Sequence, residues 1–113
     1  MCGRFYVPED SEIAMLRKVI ENLESRNVTV KTGEVSPGDV AAVIASNREL
    51  KLQPFGMLWG YHLPNGKLLF NARSETAAQK AIFADGMAHR RCLIPASHYF
   101  EWQDTPDGKA KYA

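Results

Sequence analysis

The hydrophobic positions near the N-terminus recur at helical spacing. Five apolar residues follow intervals of three and four between positions 11 and 25: Ile13, Leu16, Val19, Ile20 and Leu23. These intervals place the side chains on one face of an α-helix. Asp10 or Ser11 can cap the helix, because either side chain accepts a hydrogen bond from a free backbone N–H group. The pattern predicts one amphipathic helix over 11–25, preceded by a short apolar segment at 5–7.

After position 28 the pattern changes to short runs rich in β-forming residues. We predict strands at 28–30, 40–45, 57–61, 68–70, 92–94 and 99–103. Turn sequences at 37–39 and 64–66 separate some of them. Ser74 is predicted to cap a second helix that ends near Gly86. The predicted fold class is α+β, with a curled, mostly antiparallel sheet, partly open and barrel-like, and two flanking helices.

The last residues predict a turn followed by a returning strand. Residues 104–108 combine Asp, Thr, Pro and Gly in a turn, and Lys109 to Ala113 begin the return. The sequence has little room to complete this hairpin. We therefore expect one domain over residues 1–113 that is truncated at its C-terminal end.

Composition limits the class of protein. The 113 residues are 45% hydrophobic and 24% charged, which is typical of a globular protein. The net charge is +1, so binding to nucleic acid would depend on a local cluster of arginines. Charged residues are spread through the first 25 positions, which predicts neither a signal peptide nor a membrane span. We expect a cytoplasmic protein whose two cysteines are reduced.

Cysteine occupies position 2, directly after Met1. If Met1 is removed, Cys2 carries a free α-amine and a thiol two carbons apart. The amine of such a 1,2-aminothiol forms an imine with an aldehyde, and the sulfur then closes a five-membered thiazolidine ring. The thiolate is the reactive form of the sulfur. The position indicates either covalent capture of a carbonyl compound or an ordinary small hydrophobic residue at the terminus.

A second candidate cluster lies where a predicted strand passes into the predicted second helix, at Asn71 and Arg73. Residues two apart on a strand project from the same face. The Arg73 guanidinium can hold phosphate oxygens, and the N–H groups at the helix start offer an anion site beside it. The pair is therefore a candidate binding site for a sugar phosphate. The alternative is a solvated or ion-paired surface arginine.

One carboxylate, Glu101, lies within the aromatic run Tyr99–Trp102. Alternation places Tyr99 and Glu101 on one face of the predicted strand and His98 on the other. A carboxylate in half-apolar surroundings suits proton exchange with an imine. The alternative is a glutamate on the exposed face of an amphipathic strand.

The remaining chemistry-bearing residues exclude common classes of site. The three histidines and two cysteines lack metal-ligand spacing. The sequence contains neither a phosphate-binding glycine loop nor a G-x-S-x-G nucleophile motif. We therefore expect no metal and no cofactor.

Four segments occur in a characteristic order: Met1–Phe5, Phe55–Gly60, Asn71–Thr76, and Arg91–Ala96 leading into Tyr99–Trp102. Together they closely resemble the SOS response-associated peptidase family. The resemblance runs over the whole chain and corresponds to about the N-terminal half of the family domain. Family members join an N-terminal cysteine covalently to the ring-opened aldehyde of an abasic site in single-stranded DNA. The older family description is a thiol autopeptidase.

The resemblance implies three catalytic residues. Cys2 would be the nucleophile, Asn71 would position the abasic sugar, and Glu101 would shuttle protons during imine formation and reversal. The family also uses a histidine from a later motif. His98 stands where the family usually has Gly and, by alternation, faces away from Glu101, so it does not replace that histidine.

The resemblance also implies DNA contacts. Arg4 and Arg73 would hold the flanking phosphates, and Trp59 would belong to an aromatic wall where an unstacked base or a kinked strand rests. The expected partner is single-stranded DNA containing abasic sites, met in the cytoplasm at the nucleoid, with no membrane. Two alternatives stay open: a cysteine autopeptidase that acts on its own N-terminus, and an inactive truncated fragment that binds single-stranded DNA.

Overall fold

The computed structural model describes residues 2–9 and 13–113, which form two helices and eight strands. Their order is β1 (Arg4–Val7), α1 (Ala14–Ser25), β2 (Gly33–Val35), β3 (Val40–Ser46), β4 (Leu52–Leu58), β5 (Tyr61–His62), β6 (Leu68–Leu69), α2 (Ala81–His89), β7 (His98–Thr105) and β8 (Gly108–Tyr112).

The strands pair antiparallel throughout the described ranges. One sheet has the order β2-β1-β7-β8, and β3-β4 and β5-β6 form two separate hairpins. The predicted α+β class is confirmed, and the described strands do not close into a barrel. Five residue pairs join β7 to β8, so the predicted returning strand is present.

Helix α1 buries the face that its sequence periodicity predicts. Leu16, Val19 and Leu23 are buried. Ile13 instead precedes the helix at its N-cap position and is 47% exposed. The predicted caps, Asp10 and Ser11, lie outside the described residues.

The C-terminal end of α1 is closed by a left-handed residue. Asn27 has φ 57°, and its N–H donates to the Glu24 carbonyl at 3.0 Å. The Val28 N–H donates to the Leu23 carbonyl at 2.9 Å. These two bonds form a Schellman motif, which satisfies carbonyls that the helix itself leaves unpaired.

Two adjoining clusters of buried residues lie within the core. The first joins Phe5 and Val7 of β1 to β2 and β3, with Ile20 and Trp59 packed against it. The second places Val19 and Leu23 of α1 on Ala42 of β3, and Ile20 also packs there. Helix α1 therefore holds the β3-β4 hairpin against the four-stranded sheet.

Three predicted strands differ from the structure. Residues 28–30 lie outside any strand, and the run 57–61 is divided between β4 and β5. Residues 92–94 form only an isolated bridge, in which Leu93 and Ile44 exchange two backbone hydrogen bonds of 2.8 Å. Apolar packing accounts for the first run, since Val28 and Val30 lie against the α1 cluster.

The second helix begins later than predicted. Lys80 occupies its N-cap position, and α2 ends at His89 rather than near Gly86. Residues 74–80 instead form turns, in which the N–H groups of Thr76 and Ala77 donate to the Arg73 carbonyl. Ser74 is therefore not a helix cap. The helix start on which the predicted anion site beside Arg73 depended therefore lies instead at Lys80–Ala81.

An ion cluster on the outer face of the four-stranded sheet joins its two edge strands. Glu34 of β2 lies 3.2 Å from the Arg4 guanidinium and also pairs with Lys111 of β8. The Lys111 ammonium lies 4.2 Å from the Phe100 ring centroid. The hydrogen bond from Lys111, with a further contribution from Arg4, lowers the pKa of Glu34 below its ordinary value of 4.5.

This depressed pKa predicts a loss of stability in acid. The Glu34 carboxylate contributes stability above its unfolded pKa and loses that contribution as pH falls through the lower folded pKa. The stability difference between the wild type and Glu34→Gln should therefore be constant near neutral pH and shrink below pH 4.5. Urea unfolding followed by circular dichroism at stepwise lower pH measures it. A difference that persists unchanged well below that pH would contradict the assignment.

Candidate functional site

Pairing between β1 and β7 places the N-terminal segment beside the strand that carries Glu101. Arg4 lies opposite Phe100, and Phe5 lies opposite Tyr99. Continuing this register by one residue brings Gly3 level with Glu101. A Cβ atom built on Gly3 would lie 3.7 Å from the Phe70 ring. Phe70 directly precedes Asn71 in the chain. The fold therefore brings the backbone next to Cys2 near Glu101 of β7 and near Phe70, the residue before Asn71.

Cys2 lies at the rim of an apolar cavity of about 410 Å³, which we call the Cys2 cavity. The other lining residues are Phe5, Trp59, Ile94, Ala96 and Tyr99. The thiol is half-buried, and its Sγ donates to the Arg4 carbonyl at 3.2 Å. The nucleophile predicted from sequence is therefore accessible and has an apolar wall beside it.

A second recess contains the other two predicted catalytic residues. Asn71 and Glu101 line an open cleft of about 450 Å³ together with Trp102 and Lys109, which we call the Glu101 cleft. Both Asn71 and Glu101 are half-buried. An amide and a carboxylate that open onto one cleft can hold a hydroxyl group and exchange a proton with it.

A central cavity of about 410 Å³ shares one lining residue with each of these two recesses. Trp59 lines both the central and the Cys2 cavity, and Asn71 lines both the central cavity and the Glu101 cleft. Phe83 of α2 forms part of its wall and meets Tyr61 edge to face, with ring centroids 5.5 Å apart. The shared residues Trp59 and Asn71 place the three recesses next to one another, and we call the three together the groove.

Backbone contacts fix Trp59 at the centre of this groove. Its N–H donates to the Asp39 carbonyl at 3.0 Å, and its carbonyl accepts from the Gly38 N–H at 2.9 Å. Its ring packs against Phe5, with centroids 5.2 Å apart. The next residue, Gly60, has φ 109°, a left-handed value that only glycine adopts readily.

The two arginines predicted to hold phosphates lie in different settings. Arg73 is exposed and follows Asn71, which lines the groove, by two residues. Arg4 lies on the outer face, where its guanidinium pairs with Glu34 and lies 5.8 Å from the Trp102 ring centroid. Trp102 also borders the Glu101 cleft. Arg4 therefore lies near the Glu101 cleft, with Trp102 between them, and is already ion-paired.

His98 faces away from Glu101, as alternation predicts. It stacks on Tyr6, with ring centroids 5.0 Å apart and planes 9° apart, and its Nδ1 lies 2.9 Å from the Ser97 hydroxyl. Residues 2–9 and 13–113 contain no group of three His, Cys, Asp or Glu side chains that could hold a metal ion. Within the same ranges, no helix is long and apolar enough to cross a membrane.

Sequence reasoning missed several groove residues. Lys109 borders the Glu101 cleft and pairs with Asp104 at 3.5 Å. Tyr99 was placed on the face of Glu101 but was not recognised as a wall beside Cys2. Cys92 is exposed but borders the central cavity, where partial desolvation raises the pKa of its thiol and disfavours the thiolate. A combination of strand alternation with the β1–β7 pairing could have identified Tyr99.

The sequence that forms the groove and contains Cys2 matches a known protein family. Residues 1–113 match the family described as SOS response associated peptidase (SRAP). The match covers the whole chain, and the chain belongs to this family.

Three relatives show how far the similarity extends. The chain is 31% identical over 118 residues to the abasic site processing protein YedK of Escherichia coli (strain K12), covering 99% of this chain and 52% of YedK. In Bacillus subtilis (strain 168), it is 28% identical over 116 residues to the abasic site processing protein YoaM, covering 98% and 51% respectively. It is 27% identical over 108 residues to the abasic site processing protein YoqW of the same strain, covering 91% and 48%. The chain spans about half the length of these relatives.

The positive φ at Gly60 gives a prediction for the groove. A Cβ atom there would lie 2.7 Å from Leu68 Cδ1, in addition to straining the backbone. Gly60→Ala should therefore destabilise the protein by roughly 1–3 kcal/mol. Thermal unfolding measures this loss. Gly66→Ala is the matched control, because Gly66 has φ 82° but nothing within 4 Å of its built Cβ. An equal loss in both variants would assign the whole effect to backbone strain and contradict the clash.

Proposed function

We propose that the chain processes abasic sites in single-stranded DNA by forming a covalent bond between Cys2 and the ring-opened sugar. The observation that carries this proposal is the groove, in which the recess lined by Cys2 and the recess lined by Asn71 and Glu101 each adjoin the central cavity. The names of the relatives support the substrate, since all three are abasic site processing proteins.

The reaction begins after Met1 has been removed from Cys2. The α-amine attacks the C1′ aldehyde carbon of the open sugar, and the resulting carbinolamine loses its hydroxyl as water to give an imine. The thiolate then attacks the imine carbon, and the nitrogen takes up one proton. The net change is loss of one water, with one new C–N and one new C–S bond at C1′. No oxidant or reductant is required.

Glu101 and Asn71 assist the steps that surround this bond. In its protonated form, Glu101 donates to the departing carbinolamine hydroxyl; as a carboxylate it takes a proton back when the ring reopens. Asn71 can donate to and accept from sugar hydroxyls, because its amide offers both functions. Their shared cleft supports these roles.

The DNA strand follows the groove in this proposal. Trp59 offers an aromatic surface to an unstacked base, and Arg73 contacts a phosphate that flanks the lesion. Arg4 would reach a second phosphate only by exchanging its contact with Glu34. Arg73 is therefore expected to contribute more to binding than Arg4.

Covalent chemistry at Cys2 is tested with a single-stranded oligonucleotide that carries one abasic site. The wild type with Cys2 as its first residue should form a denaturation-resistant adduct, and Cys2→Ala should form none. Glu101→Gln should slow adduct formation by about a hundredfold, because a general acid of this kind contributes at least that much. Glu49→Gln is the matched control, since Glu49 is exposed and pairs only with Lys51 among the described residues.

Gel analysis and intact mass follow the adduct over time. An adduct with Cys2→Ala, or equal rates for Glu101→Gln and the wild type, would contradict the proposal. Release of Met1 by purified protein, dependent on Cys2 and without adduct formation, would instead favour the autopeptidase.

The Arg73 contact is tested through salt dependence. Arg73→Gln should weaken binding to single-stranded DNA and reduce the slope of log K against log salt by about 0.7, the amount for one phosphate on a single strand. Arg48→Gln, an exposed arginine after β3, is the control. Fluorescence anisotropy at several salt concentrations gives both slopes, and equal slopes for the two variants would exclude this contact.

A further inference from the structure

The Cys2 cavity differs in character from the rest of the groove. Its other five lining residues are all hydrophobic or aromatic. Ile94 and Tyr99 are 48% and 60% exposed, so both offer apolar area that a ligand could cover. A sugar phosphate has little apolar surface with which to cover such walls. In the proposed function the sugar is bonded to Cys2 with its hydroxyls towards the Glu101 cleft, and a base rests on Trp59, so Ile94, Ala96 and Tyr99 are the apolar walls that the DNA does not use.

Two features of the Cys2 cavity specify one class of ligand. The 1,2-aminothiol of processed Cys2 selects an aldehyde, because only a carbonyl carbon bonds to both nitrogen and sulfur with loss of water. The apolar lining of the Cys2 cavity favours an apolar substituent on that aldehyde. We propose that the Cys2 cavity also captures small apolar aldehydes, such as straight-chain alkanals, as thiazolidines.

The step balances without a further reactant. The α-amine adds to the aldehyde carbon, the former carbonyl oxygen leaves as water, and the sulfur bonds to the same carbon while one proton passes to the nitrogen. The alkyl chain lies against Ile94 and Tyr99, with Trp59 as the opposite boundary towards the central cavity. The inference rests on the proposed function in one respect: Cys2 must be the first residue of the processed chain.

A competition between aldehydes of different length tests the inference. Each methylene buried in an apolar site contributes about 0.8 kcal/mol, which is about fourfold in an equilibrium constant. The protein, with Cys2 confirmed by mass as its first residue, is equilibrated with equal concentrations of acetaldehyde and butanal, and the two adducts are quantified by intact mass. The peptide Cys-Gly-Arg-Phe, with the sequence of Cys2–Phe5, is treated identically. Because the wall is open to solvent, two further methylenes that lie half-covered on it should raise the butanal preference of the protein about fourfold over that of the peptide.

Variants at two neighbouring residues locate the effect. Ile94→Ser should bring the butanal preference close to that of the peptide, because Ile94 lines the Cys2 cavity. Leu93→Ser is the matched control, since Leu93 is 62% exposed and lies outside this cavity. Acetaldehyde adducts should form equally in both variants, because that aldehyde depends on the aminothiol alone.

The outcomes separate this inference from the proposed function. A butanal preference equal to that of the peptide, or an equal reduction by both substitutions, would overturn the inference whether or not abasic DNA forms an adduct. A selective preference in protein that forms no adduct with abasic DNA would support the inference and reject the proposed function. No adduct with either aldehyde, where the peptide reacts, would overturn the inference by showing that the fold shields the aminothiol.

Discussion

The pairing of β1 with β7 is the contact on which the site depends. It joins the N-terminal strand to a strand more than ninety residues later in the chain, with Phe5 opposite Tyr99. Ser97 strengthens the junction, since both its N–H and its hydroxyl donate to the Tyr6 carbonyl, at 3.0 and 3.2 Å. Such a non-local contact carries a loop-closure cost that local packing must offset. Without this register, Cys2 would have no fixed relation to Glu101.

Trp59 links this constraint to the core. Its ring packs against Phe5 within the first core cluster, and the same residue borders both the Cys2 cavity and the central cavity. The hairpin that carries Trp59 is in turn held by α1 through Ala42. Stability and site geometry therefore share side chains here. A core substitution near Phe5 is expected to alter the site as well as the free energy of unfolding.

Local patterns in the sequence were sufficient for some features and not for others. The spacing of Leu16, Val19 and Leu23 predicted the buried face of α1, because helical periodicity depends on one element alone. Alternation along β7 likewise placed His98 away from Glu101. The start of α2 was predicted wrongly, since Ser74 has the chemistry of a cap but the Arg73 carbonyl accepts the neighbouring N–H groups in turns. Propensity cannot foresee that competition. The ion pair of Arg4 with Glu34 and the walls of the Cys2 cavity depend on which distant strands meet, and sequence spacing does not contain that information.

The most direct test of the account locates the bond in the adduct with abasic single-stranded DNA. The adduct is treated with iodoacetamide, digested and sequenced by tandem mass spectrometry. The account predicts a sugar remnant on the peptide that begins with Cys2, at the mass expected for loss of one water. Alkylation should then be found at the exposed Cys92 and absent from Cys2. A remnant on a lysine such as Lys109, or a Cys2 thiol that remains open to alkylation within the adduct, would contradict it.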